Sequence, residues 1–137
     1  MVPIDSTILI VEDDDALVRA IERNLTVRGH AVRAAGTVQD ALAVLEEIDL
    51  DLLLLDVDLP DGSGWEVLRA VRSAGGNDIP VIILSGLRPN EKYVKELMCT
   101  SVLEKPFSVE SLLRLVTLSL GESESVQPGD PMDWREG

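Results

Sequence analysis

Four leucines in succession run straight into three carboxylates in the stretch LLLLDVDLPDG, residues 52–62. A β-strand sends successive side chains to opposite faces, so a strand without a polar member is buried on both. TILIV (7–11) and PVIIL (80–84) share this character. Such runs belong to a parallel sheet covered by helices on both sides, since strands of half-solvated sheets alternate. The intervening segments carry the period of helices. Leu17, Ile21 and Leu25 stand at i, i+4 and i+8 within 14–28, and Gly29 closes that pattern.

The alternation occurs five times. HAVRA (30–34) is a short second strand, and Thr37 caps a helix with Val38, Ala41, Leu42 and Leu45 inward and Asp40 completing a weak capping box. The third strand is 51–55, and Trp65, Leu68 and Val71 mark a third helix ending at Gly75-Gly76. After the fourth strand (80–84) comes a poorly patterned segment, 86–100, then a weak strand at 101–104. Ser108 caps a last helix carrying Leu112, Leu113, Val116 and Leu120. The fold class is α/β, an open doubly wound sheet.

A chain of 137 residues with 45% apolar content supports one domain with its own core. Residues 121–137, GESESVQPGDPMDWREG, lack any period and read as an acidic flexible tail or linker after a domain spanning 1–120. The net charge of −13 and four aromatic residues argue against a nucleic-acid partner, which needs cations and stacking surfaces. No apolar run approaches the ~18–20 residues of a membrane span. MVPIDST lacks the features of a signal peptide, so the expected setting is cytoplasmic. Cys99 is alone and reads as a packing or partly exposed thiol, and His30, after Gly29, reads as a loop residue.

In an open α/β sheet, function gathers at the carboxyl ends of the strands. There the first strand delivers Glu12, Asp13, Asp14 and Asp15, and the third delivers Asp56 and Asp58. The fourth delivers Ser85 and Gly86, the fifth Lys105-Pro106-Phe107. Asp14 or Asp15 at a helix start reads as a cap. Crowded carboxylates disfavour one another's charge unless a cation joins them, and oxygen-only ligation at a wet rim suits Mg²⁺. A carboxylate beside such a cation can attack a phosphoryl group, with Ser85 donating to a phosphoryl oxygen and Lys105 supplying a point charge.

Residues 7–120 resemble the receiver domain of bacterial two-component response regulators, from TILIVEDD through LLLLDVDLPDGSGWEVL and PVIILSG to LEKPF. The resemblance implies a flavodoxin-like sheet of five parallel strands in the order 2-1-3-4-5. It implies Asp56 as phosphoacceptor, with Ser85 and Lys105 reading the phosphoryl group. Glu12, Asp13, Asp56 and Asp58 would hold Mg²⁺, Asp58 through its backbone carbonyl. It also implies a cis bond at Lys105–Pro106, a histidine kinase or histidine phosphotransfer protein as phosphodonor, and an output partner. The chain would accept a group and not turn over substrate, and phosphorylation would shift the 86–105 region.

Three features depart from the family pattern. Val102 stands where an aromatic residue is usual, the Ser85-to-Lys105 spacing is short, and 86–100 allows only a short or displaced fourth helix. The phosphorylation chemistry survives these departures, but Val102 and the short fourth-helix region leave open an alternative, an interaction module that keeps the acids and is regulated without phosphate. A haloacid-dehalogenase-type phosphatase shares the D-x-D of Asp56-Val57-Asp58, but places further acids downstream, where this chain has none comparable; turnover of p-nitrophenyl phosphate would discriminate it.

Overall fold

Leu52, Leu53, Leu54 and Leu55 are all fully buried, and the alternation of a strand divides them between two cores. Leu53 and Leu55 face one helical layer, Leu52 and Leu54 the other. The protein's structure is a computed structural model that describes residues 6–121. Its strands are β1 (Thr7–Val11), β2 (Ala31–Ala35), β3 (Leu52–Asp56), β4 (Val81–Ser85) and β5 (Ser101–Glu104). Its helices are α1 (Asp15–Val27), α2 (Val38–Leu45), α3 (Gly64–Ser73), α4 (Glu91–Glu96) and α5 (Val109–Ser119). A two-residue ribbon pairs Asp58–Leu59 with Gly62–Ser63.

The sheet runs β2-β1-β3-β4-β5 with every pair parallel. This is the doubly wound class and the strand order expected. The α1 and α5 residues Ile21, Leu25, Leu112 and Val116 close over Ile8, Ile10 and Ile82. On the other face α2 and α3 cover Leu9, Val11, Val81 and Ile83 with Ala41, Val44, Leu68 and Val71. β3 lies in the centre, so whatever follows Leu55 emerges from the middle of the molecule.

Local chemistry sets the helix ends. Asp14 caps α1 by accepting from the Leu17 N–H at 3.2 Å, and Gly29 after that helix has φ +96°. Ser63 and Glu66 form a reciprocal capping box on α3. At α2, Thr37 accepts from the Asp40 N–H at 3.0 Å.

One inward assignment needs correction. Leu42 is 38% exposed, because the buried stripe of α2 follows Val38, Ala41 and Val44. His30 lies in the loop between α1 and β2, as expected, and is buried there. Met98 is 51% exposed and adopts φ +57° just beyond α4. As expected, α4 is short, and none of its residues is buried. It is nevertheless tied down. The Arg72 guanidinium donates to the carbonyls of Leu97 and Met98, both at 2.9 Å, and to those of Gly76 (2.6 Å) and Ile79 (2.7 Å). Tyr93 meets Trp65 edge-on with centroids 5.5 Å apart, under the Arg69 guanidinium at 4.9 Å.

Candidate functional site

The parallel sheet delivers the ends of β1, β3 and β5 to one edge. Glu12 and Asp13 follow β1, Asp56 ends β3, and Lys105 follows β5. Carboxylate oxygens of Glu12, Asp13 and Asp56 lie within 4.8 Å of one another. Glu12 is 2% and Asp56 4% exposed, whereas Asp13 is open to solvent. Burying such acids is costly without a partner charge. Lys105 supplies it: Nζ lies 2.7 Å from Glu12 Oε1 and 3.3 Å from Asp56 Oδ2.

The protonation equilibria follow from this packing. Burial pushes the Glu12 carboxyl above the ordinary range, overcoming the bonds from Lys105 and from the Asp14 N–H. Burial works against the charge on Lys105, but its bond to Glu12 and the charges of Glu12 and Asp56 outweigh this and raise its pKa. The lysine is therefore a fixed cation. Its backbone is held as well: the Lys105 N–H donates to the Ser85 carbonyl at 2.7 Å, and the Lys105–Pro106 bond is cis, as expected.

The other predicted residues occupy distinct places. Ser85 ends β4 beside Asp56, whose register partner is Leu84, and its hydroxyl donates to the Leu87 carbonyl. Asp58 is exposed; its N–H donates to Asp56 Oδ1 at 2.9 Å, and its side chain is not among the three clustered acids. The cluster fits a hard divalent cation, having oxygen donors alone and one open side where waters can complete the shell.

Two residues here escape a reading of spacing. The third carboxylate of the opening stretch, Asp61, accepts from the N–H groups of Val38 (2.7 Å) and Gln39 (3.1 Å). It thus caps α2 from 23 positions along the chain, and those bonds hold its pKa below the ordinary 3.8. Gly64 starts α3 directly against the backbone of Asp56 and Val57, and a Cβ there would collide with the Asp56 carbonyl. Nothing in the local sequence gives either contact, although a Gly after the capping Ser63 hints at a close approach.

Residues 8–117 match the family described as the response regulator receiver domain. The transcriptional regulatory protein CusR of Escherichia coli is 34% identical over 121 residues, covering 87% of this chain and 53% of CusR. The transcriptional regulatory protein KdpE of Mycobacterium tuberculosis is 36% identical over 108 residues, covering 77% of this chain and 47% of KdpE. The chain thus spans about half the length of these relatives. A CheY-like receiver domain from Methanospirillum hungatei superposes with a TM-score of 0.77 at 28% identity, covering 88% of this chain and 97% of that one. By its sequence match, its strand order and the residues gathered at one sheet edge, the chain belongs to the response regulator receiver domain family.

Proposed function

We propose that the protein is a phosphorylation-dependent signalling receiver, with a histidine kinase or histidine phosphotransfer protein as donor and Asp56 as acceptor. The observation that carries this reading is the setting of Asp56, a buried carboxylate at the end of the central strand with Lys105 Nζ 3.3 Å away. An Asp56 oxygen attacks phosphorus, the P–N bond of the donor phosphohistidine breaks as the P–O bond forms, and the leaving imidazole takes up a proton. Lys105, fixed by Glu12, pairs with the added negative charge. Ser85 leaves the Leu87 carbonyl and donates to a phosphoryl oxygen.

Glu12, Asp13 and Asp56 would hold Mg²⁺, with the Asp58 backbone carbonyl as a further oxygen donor. Bound there, the ion supplies charge neutralisation for the transferring group. The domain of residues 1–120 accepts one group and passes the signal on; its setting is cytoplasmic, and nucleic acid and membrane are not its direct partners. The response runs from Ser85 into the 86–105 region, which an output partner reads.

Incubation with acetyl phosphate and Mg²⁺ should add one phosphoryl group by intact mass, labile to hydroxylamine. Asp56→Asn should take up none. Uptake by that variant at an unchanged level would reject the assignment.

A further inference from the structure

At the opposite end of the sheet lies a feature that phosphoryl chemistry does not use. Between α2 and α3, a cavity of about 650 Å³ opens where the chain enters β3 and β4. Its apolar lining includes Leu42, Leu45, Ile48, Leu50 and Ile79, none of them fully buried. Leu42 is the residue that the buried stripe of α2 leaves out, and it stands at this groove 38% exposed. The distance from Leu50 to Asp56 along the strand is roughly 20 Å, so the groove is separate from the acidic site.

The groove is already shaped. Gly75 has φ +96°, and a Cβ on Gly76 would press into the Ile79 side chain and the Val71 backbone, so these two positions of the α3–β4 turn line the groove with backbone alone. Arg72 fastens that turn from behind through the carbonyls of Gly76 and Ile79. A preformed groove lowers the ordering cost of binding.

Charge then selects the occupant. Glu46, Asp49 and Asp78 stand exposed around the groove, and no Lys or Arg is among the described residues that line it. A second copy docking through the same face would bring the same three acids against them. The segment 122–137 carries five acids and one arginine, a net charge of the same sign as the rim. We propose that this groove docks a basic amphipathic segment of a partner protein, its apolar side chains seated among the aliphatic residues and its lysines or arginines meeting the three rim acids.

The probe is a short amphipathic helical peptide of leucine and lysine, titrated into the isotopically labelled full chain and followed by amide chemical shifts. Shifts should concentrate in residues 42–50 and 70–79. Reversing the rim together (Glu46→Lys, Asp49→Lys, Asp78→Lys) should weaken binding about tenfold or more. Leu42→Ser, a surface change that leaves every charge in place, should also weaken it. Reversing three acids elsewhere (Glu91→Lys, Glu96→Lys, Glu110→Lys) should have much less effect. Shifts spread over the surface, or equal weakening by the distant reversal, would show only attraction to an acidic molecule and overturn the proposal. Concentration-dependent shifts in the groove without peptide would make a second copy the occupant, and overturn it too.

Discussion

Asp61 shows how a carboxylate outside the acid cluster serves the same sheet edge. It accepts two N–H groups at the start of α2, where the helix leaves its first donors unpaired and favours negative charge. A carboxylate whose folded pKa is depressed adds stability above its unfolded value and loses it as pH falls through the folded one. Asp61 is held below 3.8, so its contribution is complete above about pH 4 and disappears below. Asp61→Ala should therefore lower the melting temperature at pH 7, and the gap from the parent protein should close on acidification below pH 4. Thermal melts across that range check this; a gap independent of pH would assign the loss to packing. Cys99 illustrates the opposite case. Burial pushes its thiol up to about 11, so it stays protonated near neutrality and is a poor nucleophile.

At the scale of elements, α4 depends on its neighbour. Its six residues include none that is buried, so it has little stability of its own. The carbonyls at its end are instead satisfied by Arg72 of α3, which also holds the turn before β4. A guanidinium fork can reach all four oxygens, whereas an ammonium cannot. Arg72→Lys should cost about 2 kcal/mol by denaturant unfolding, the size expected for losing charged hydrogen bonds. Amide exchange should quicken most in residues 91–99 and least in α1. Uniform acceleration would mean that Arg72 serves the whole fold and not this element. The edge contact of Tyr93 with Trp65 adds to that support, so α4 is held from α3 and not by burial of its own residues.

At the scale of the whole molecule, a net charge of −13 opposes compaction, and the convergence of Glu12, Asp13 and Asp56 concentrates that repulsion at one edge. A cation held by the folded state alone stabilises it by mass action. Adding Mg²⁺ should raise the melting temperature beyond the effect of NaCl at equal ionic strength. Asp13→Asn should remove that excess and keep the general salt effect. If the excess survives in the variant, Asp13 is not a ligand.

The primary sequence determined the strands, the helical periods and the class of fold, because each core strand is apolar along its length and needs cover on both faces. Residues at strand ends could be named as one site for the same reason: parallel topology sends every carboxyl end to one edge. Where the inward stripe of α2 falls was not legible, since Leu42 and Val44 offer the helix equal apolar character. Only packing on the sheet chose Val44 and left Leu42 beside a groove. The long-range polar contacts were hidden for a different reason. Asp61 reaches α2 across 23 positions and Arg72 reaches Met98 across 26, and a hydrogen bond between distant segments leaves no periodic trace in the chain. Those contacts exist because the fold places orphan N–H and C=O groups within reach of a charged side chain, a matter that tertiary structure alone decides.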